Sequence, residues 1–227
     1  MSFVESGRSQ PSRAMVLRLA RVLDVPIRER NALLLAAGYA PLYGESGLDG
    51  AHAAHVRAAL ERVLSGHEPY PAVVMDRHWN VTRGNGAAGR LFEWLLGPAA
   101  AGPANVVGLM FSPTGLRPHV ANWEQAAEAL IRRVHREAVG GVLDPETLAL
   151  RDAALAEPGV PAAWRLPDPG HVPLPVVPVT FAKDGLVLSY FSAVTTLGTP
   201  QDAMLQEIRI ESFFPADDAT AGHAWVR

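Results

Sequence analysis

The stretch VVPVTFAKDGLVLSYFSAVTT, residues 176–196, decides the fold class. Its two apolar runs, rich in valine and aromatic residues, flank Lys183, Asp184 and Gly185. Asp-Gly is a strong β-hairpin signal, because the tightest hairpin turns require positive φ at both central residues. The stretch is therefore predicted to form two antiparallel strands joined by a short turn.

A third strand is predicted from MLQEIRIESFF, residues 204–214, where apolar and charged residues alternate. Successive side chains of a strand point to opposite faces of its sheet. Ile208 and Ile210 would lie on the buried face, and Arg209 and Glu211 on the exposed face. The C-terminal third of the chain is therefore predicted to be β.

Two further short strands are predicted nearer the N-terminus, at PAVVMD (71–76) and WNVTRG (79–84). Helices follow them: Asn85 and Asn122 are suitable N-cap residues, and another helix starts after Asp144. Two strands, several helices and three consecutive strands predict an α+β fold, in which helices cover one face of an antiparallel sheet. That is the order of a PAS-like fold, which typically encloses a small ligand between sheet and helices.

The N-terminal region is predicted to be helical. Ser12 can cap a helix that runs to about Leu23, and Pro26 can start a second helix that Gly38 ends. Two short helices cannot bury their apolar faces alone, so they must pack on another part of the protein.

Composition excludes several classes of protein. The 227 residues include no cysteine, which rules out disulfides, thiolate catalysis and Cys-ligated zinc. No apolar run is long enough to span a bilayer and no signal-peptide pattern is present, so a cytoplasmic protein without membrane contact is expected. Residues 1–40 carry a net charge of +3 in a chain whose net charge is −3. This favours a nucleic-acid partner near the N-terminus, although solvated arginines on short helices would give the same charge.

Signals for an enzyme are missing from the sequence. The closest approach to G-x-S-x-G is GESG (44–47), with Leu48 where the last glycine would stand. Neither a Walker A pattern nor a G-x-G-x-x-G after a strand occurs. His52 and His55 could touch one metal ion, but no cysteine and no nearby acidic cluster completes such a site. The sequence therefore predicts no enzyme, no metal site and no cofactor.

Several segments resemble one family of bacterial regulators. SFVESGRSQPSRAMVLRLARVLDVPIRERNALLLAAGYAP (2–41) resembles the last part of XRE-type, lambda-repressor-like helix-turn-helix domains. YPAVVMDRHWNVTRGNGAA (70–88), Asn122-Trp123-Glu124 and GTPQDAMLQEIRIESFFPADDATA (198–221) resemble the MmyB-like ligand-binding domain. The resemblance implies a transcription regulator whose PAS-like C-terminal domain binds an effector, with fatty acids as the suggested ligand class.

Three regions are predicted on this basis. They are a C-terminal remnant of a lambda-repressor-like helix-turn-helix domain (1–43), a linker helix (44–69) and an MmyB-like, PAS-fold ligand-binding domain (70–227).

The resemblance to the helix-turn-helix domain begins inside the helix that reads DNA, so an N-terminal truncation is expected. Ser2, Glu5 and Arg8 would be the remnant of that helix, whereas base contacts come chiefly from its N-terminal part. We therefore expect DNA to be a partner of the complete protein and not of this chain alone.

A ligand in a PAS-like fold would lie between the concave sheet and the central helices. An acyl ligand would also need a donor for its carboxylate, because a buried unpaired charge is very costly. Arginine is favoured, since its guanidinium can hold a carboxylate through two hydrogen bonds. The candidate wall residues are Phe92, Leu95, Trp123, Leu130, Val179, Phe181, Tyr190, Ile208 and Ile210. The candidate donors are Arg77, Arg90, Arg117, His119 and Tyr190.

Two hypotheses stay open. In the first, an effector binds the PAS-like domain, shifts a dimer or linker arrangement and thereby alters DNA binding. In the second, the domain has a filled core and only mediates dimerisation. A cavity of roughly several hundred Å³ would support the first hypothesis, and a tightly packed interior would support the second. A homodimer is expected in either case.

Overall fold

The computed structural model describes residues 2–44, 53–98, 104–139, 144–166, 176–197 and 203–223. The chain divides into two compact units, the first comprising residues 1–58 and 196–208 and the second residues 59–195 and 209–227. This division differs from the predicted boundaries after residues 43 and 69. It also assigns a segment from the C-terminal third to the N-terminal unit.

The described residues form helices and strands with the following bounds. The helices are α1 (Ser2–Glu5), α2 (Arg13–Val22), α3 (Ile27–Ala36), α4 (Ala53–Gly66), α5 (Gly86–Leu96), α6 (Val106–Phe111), α7 (Trp123–Val139), α8 (Pro145–Ala156), α9 (Ala203–Gln206) and α10 (Asp218–Ala221). The strands are β1 (Ala72–Met75), β2 (Asn80–Gly84), β3 (Ala104–Asn105), β4 (Val179–Lys183), β5 (Leu186–Thr196) and β6 (Arg209–Pro215). Two short 3-10 helices span Arg117–His119 and Ala162–Arg165.

The N-terminal unit begins its second helix where the sequence predicts. Ser12 has extended backbone angles and its Oγ accepts a hydrogen bond from the Met15 backbone N at 3.3 Å, as an N-cap does. The described chain after α3 is held by buried Asn31, whose Oδ1 accepts hydrogen bonds from the backbone N of Leu42 and of Tyr43. Hydrogen bonds from a buried side chain therefore add to helix packing in holding this unit together.

The C-terminal unit contains one six-stranded sheet with the strand order β3-β2-β1-β6-β5-β4. β1 pairs antiparallel with both β2 and β6, β2 with β3, and β4 with β5. The expected α+β fold with an antiparallel sheet and helices is confirmed. The predicted hairpin is present as well, with φ of 50° at Asp184 and 79° at Gly185 between β4 and β5.

The predicted strand over residues 204–214 is shorter in the structure. Residues Ala203–Gln206 form α9, and β6 begins only at Arg209. The strand was predicted from the alternation of apolar and charged residues. Over only a few residues, such alternation does not distinguish a strand from a single helical turn.

The charged side of β6 is the inner side of the sheet, which corrects the prediction. Val73 of β1 packs in the hydrophobic core with the helices and pairs with Glu211, so Glu211 shares that inner face. Ile210 pairs with Val74 and lies on the outer face, where it is nevertheless buried. All four residues of β1 are buried, which means that both faces of the sheet are covered at this strand. The expectation that only one face is covered was wrong here.

Asn85 joins several elements of the C-terminal unit and provides a test of the fold. Its Oδ1 accepts hydrogen bonds from the backbone N of Ala72 and Ala88, and its Nδ2 donates to the backbone O of Leu64 and Tyr70. We expect Asn85→Ala to lower the free energy of unfolding by about 2–3 kcal/mol, because a helix cap and three further hydrogen bonds are lost together. Urea unfolding followed by circular dichroism measures this change.

Asn85→Ser is the matched control. It keeps a hydroxyl that can cap α5 and places no charge against the Leu64 and Tyr70 carbonyls, so it should lose less stability than Asn85→Ala. Equal stability of Asn85→Ala and wild type would contradict this account of the fold.

Candidate ligand-binding cavity

A cavity of about 180 Å³ lies in the C-terminal unit between the inner face of the sheet and α5, α6 and α7. Its walls are mainly apolar, and they come from the sheet, these three helices and adjoining loops. The apolar and aromatic lining residues are Val73, Trp79, Leu91, Phe92, Val106, Met110, Leu116, Ala126, Ala129, Leu130, Val177, Val179, Phe181 and Phe213. The volume is below the roughly 300–1,000 Å³ of most small-molecule sites, so the cavity suits a small or slender ligand.

Three polar side chains also line the cavity: Arg133, Ser192 and Glu211. Ser192 Oγ, which is exposed, donates a hydrogen bond to Glu211 Oε1 at 2.6 Å. Arg133 Nε donates to Glu137 Oε1 at 3.0 Å. The polar part of the lining therefore contains both a cationic and an anionic group.

Trp79 is the most unusual residue of the lining. Its side chain is 1 % exposed, and its Nε1–H is buried without a hydrogen-bond acceptor among the described residues. A buried donor left unpaired costs about 1–3 kcal/mol, so such groups are rare in folded proteins. A ligand with an acceptor atom would remove this cost.

The turn before β2 fixes the position of Trp79. Asp76 Oδ1 accepts hydrogen bonds from the backbone N of His78 and Asn80, and Asp76 Oδ2 accepts one from Asn80 Nδ2. Trp79 itself has a φ of 67°, in the left-handed region that residues with a side chain seldom adopt. The sequence holds a bulky residue in a costly conformation at the edge of the cavity, which is typical of functional positions.

Two guanidinium groups lie over the Trp79 ring. The Cζ atoms of Arg133 and Arg209 are 4.8 and 4.9 Å from the ring centroid, within cation–π range. One carboxylate bridges them: Glu137 Oε1 accepts from Arg133 Nε, and Glu137 Oε2 from Arg209 Nη1 at 2.6 Å. These three charged groups together carry a net charge of +1 next to the Trp79 ring.

The predicted wall residues are partly placed at the cavity. Phe92, Leu130, Val179 and Phe181 line it. Leu95, Trp123 and Tyr190 pack in the surrounding core instead, and Trp123 Nε1 donates to the Met110 backbone O at 2.8 Å.

Tyr190 is buried, and this burial together with nearby Tyr70 raises the pKa of its hydroxyl to about 12. Ile208 and Ile210 do not line the cavity: Ile208 belongs to the N-terminal unit, and Ile210 lies on the outer face of the sheet. Whether the lining residues bind a ligand stays a prediction.

The predicted donors Arg77, Arg90, Arg117 and His119 do not line the cavity. Arg90 pairs with Glu68 at 3.3 Å and is half exposed. Arg117 lies 3.9 Å over the Trp123 ring and donates to the Pro158 backbone O. His119 ends a 3-10 helix. The cationic residue at the cavity is Arg133, which the sequence prediction missed.

Helical spacing was the signal that could have found Arg133. Ala126, Ala129, Leu130 and Arg133 repeat at intervals of three and four residues on α7, so they share one face of the helix. Trp79 was missed because its segment was interpreted only as a strand, although it directly follows a tight turn.

Arg77 belongs to an ion-pair cluster beside α8. Its Nη2 lies 2.6 Å from Asp144 Oδ2, and Thr147 Oγ1 donates to the same oxygen at 2.6 Å. Burial by itself raises the pKa of Asp144, but hydrogen bonds from Thr147 and Arg77 and the positive charge of Arg77 and His78 lower it to about 2. The cluster therefore holds the charged N-cap residue of α8 in place and has a structural role.

The remaining predicted functional residues lie elsewhere. Ser2 and Glu5 are the ends of α1, and Arg8 is exposed beyond it. His52 lies outside the described residues. Over the described ranges, no group of three or more His, Cys, Asp or Glu side chains could hold a metal ion. The described helices include none that is both long and apolar enough to cross a membrane.

Comparison with known proteins identifies one similarity. The family model described as MmyB-like transcription regulator ligand binding domain matches residues 56–224. No curated protein matches the chain.

The Asp144 cluster predicts a specific pH dependence. The folded-state pKa of Asp144 lies below that of an unfolded Asp, so its contribution to stability is present above about pH 4 and is lost as the pH falls toward 2. We expect Asp144→Asn to lower the free energy of unfolding by about 1–2 kcal/mol at pH 7, with the difference from wild type shrinking below pH 4. Urea unfolding at several pH values measures it.

Asp152→Asn serves as the control, because Asp152 is an exposed carboxylate of α8 that pairs with its neighbour Arg151. It should change stability little at any pH. A difference between wild type and Asp144→Asn that is the same at pH 3 and pH 7 would show that Asp144 is not held in its charged form by the fold.

Proposed function

We propose that the chain, which belongs to the MmyB-like transcription regulator ligand-binding domain family, binds a small, largely apolar effector in the cavity between its sheet and α5, α6 and α7. Binding changes the DNA affinity of the complete regulator through a helix-turn-helix domain of the XRE type. The regulator acts in the cytoplasm as a homodimer and has no catalytic activity. Family membership supports the regulatory role, and the cavity supports the position of the effector.

The observation that carries the proposal is the unpaired Nε1–H of Trp79 at a mainly apolar cavity. A purely structural core would be expected to pair this donor or to replace the tryptophan with an apolar residue. An effector with a hydrogen-bond acceptor would satisfy the N–H and fill the cavity in one step.

A carboxylate is the acceptor that fits the local charge best. Arg133 and Arg209 share the carboxylate of Glu137 at the Trp79 ring, whereas the lining carboxylate Glu211 is hydrogen-bonded to Ser192, so a ligand carboxylate beside Trp79 would have two guanidinium partners. Such a carboxylate would accept from Trp79 Nε1 and pair with Arg133, which lines the cavity. The apolar walls would hold an alkyl chain. A fatty acid is therefore the proposed effector class.

A second function is favoured by the size of the cavity. At about 180 Å³ it is smaller than most small-molecule sites, which agrees with a domain that binds no effector and only mediates dimerisation. The two functions differ in whether the cavity is a binding site.

A fatty-acid titration tests the proposal. Straight-chain acids of about eight to sixteen carbons are titrated into the full chain, with binding measured by calorimetry and by native mass spectrometry. We expect saturable 1:1 binding per chain for a limited range of lengths. Methyl esters of the same acids should bind about ten-fold more weakly, because they keep an acceptor and lose the charge.

Two variants locate the carboxylate. Trp79→Phe keeps the aromatic ring and removes the N–H, and Arg133→Gln removes the charge; each should weaken acid binding by about ten-fold or more. Arg132→Gln is the matched control, because Arg132 neighbours Arg133 on α7, pairs with Glu128 and does not line the cavity. Absence of saturable binding, together with a stable dimer in light scattering, would contradict the effector proposal and support the dimerisation module.

A further inference from the structure

Residues 196–208, here called the β5–β6 segment, join the last residue of β5 to the first residue of β6. By its contacts the segment belongs to the N-terminal unit, although the rest of β5 and all of β6 belong to the C-terminal unit. Residues 196–197 and 203–208 of the segment are described. The N-terminal unit is therefore built from two separate parts of the chain.

The β5–β6 segment completes the N-terminus of α3. The N-cap residue of α3 is Pro26, which provides no side-chain cap. Gln206 supplies the missing acceptor, because its Oε1 accepts a hydrogen bond from the Ile27 backbone N at 2.7 Å. The first N–H groups of a helix have no partner inside the helix, so this contact replaces an N-cap from a distant part of the sequence.

An ion pair and a backbone contact hold the same segment. Arg28 Nε and Nη2 donate to the two carboxylate oxygens of Glu207 at 2.7 and 3.1 Å, a forked geometry between partly buried side chains. The Ala203 backbone N donates to the Gly44 backbone O at 2.9 Å, and Ala203 is fully buried. Three contacts thus fix α9 and the residues after it within the N-terminal unit.

Both strands attached to the segment also line the cavity. Ser192 of β5 and Glu211 of β6 are lining residues, and they are hydrogen-bonded to each other. Ser192 precedes the segment by four positions and Glu211 follows it by three. If filling the cavity moves these strands, the movement would reach the segment over a distance of only three or four residues.

We propose that the β5–β6 segment couples the cavity to α3: occupancy of the cavity shifts the ends of β5 and β6, and the segment transmits this shift to α3 through Gln206 and Glu207. This inference rests on the proposed function, because it names the route by which effector binding reaches the N-terminal unit. The coupling needs a differential free energy between two states of the segment, with α3 capped and ion-paired in one state and released in the other.

Hydrogen–deuterium exchange on the full chain tests the coupling without any ligand. Glu207→Arg replaces the ion pair by repulsion between two cations. We expect the amides of residues 27–30 to exchange about five-fold faster, and amides of β5 and β6 near the cavity to exchange faster as well. The double variant Arg28→Glu/Glu207→Arg restores the ion pair in reversed order and should return both regions toward wild-type rates. Asp152→Arg, the same chemical change at another ion pair, is the control and should alter neither region.

Two outcomes would overturn the coupling. Unchanged exchange of residues 27–30 in Glu207→Arg would show that the ion pair does not hold α3. Faster exchange of residues 27–30 alone, with β5 and β6 unchanged, would show that the segment docks on α3 without transmitting anything. A second measurement adds decanoic acid as the probe: slower exchange at α3 in wild type but not in Glu207→Arg is expected. Decanoic acid that protects the cavity strands yet leaves α3 unchanged would also refute the coupling, whereas decanoic acid that protects neither region would count against the proposed effector class.

Discussion

The pairing of β1 with β6 is the constraint on which the rest of the C-terminal unit depends. β1 is buried along its whole length, so its register with β6 decides which side chains of β6 face the helices. The observed register places Glu211 beside Val73 on the inner face and Ile210 beside Val74 on the outer face. A shift by one residue would exchange these faces and bring an isoleucine to the cavity in place of the carboxylate.

The inner position of the β6 charges explains how the polar part of the cavity is built. Arg209 lies opposite Met75 at the start of β6 and extends over the Trp79 ring, where Glu137 of α7 binds both Arg209 and Arg133. The sheet, α7 and the turn before β2 are thus joined through one network of charges and one indole ring. Arg133 and Arg209 are partly buried and Glu137 is more exposed, so solvent screens these ion pairs in part.

Much of the fold follows from local sequence signals, and the cavity does not. The hairpin at Asp184 and the helix caps at Ser12 and Asn85 depend on residues a few positions apart, and the structure has them where the sequence predicts. The alternation in 204–214 indicates a strand but does not show which of its faces points to the helices. Both faces of the sheet are covered at the neighbouring strand β1, and an arginine or glutamate can lie inside when it is paired. The predicted donors lie away from the cavity because the sequence does not show tertiary partners: Arg77 pairs with Asp144, whereas Arg133 lines the cavity from α7.

The cavity and the Trp79 N–H, which no described residue accepts, both raise the free energy of the C-terminal unit. In a purely structural domain they would be defects that a small change of sequence removes. In an effector domain they make one conformation of the unit less stable relative to the others. A ligand of modest affinity can then change which conformation is most populated. The positive φ of Trp79 adds to the same cost at the same residue. The cavity, the unpaired N–H and the positive φ thus meet at Trp79, in a turn where Asp76 pairs two backbone N–H groups. This is the strongest physical reason to connect the cavity with regulation.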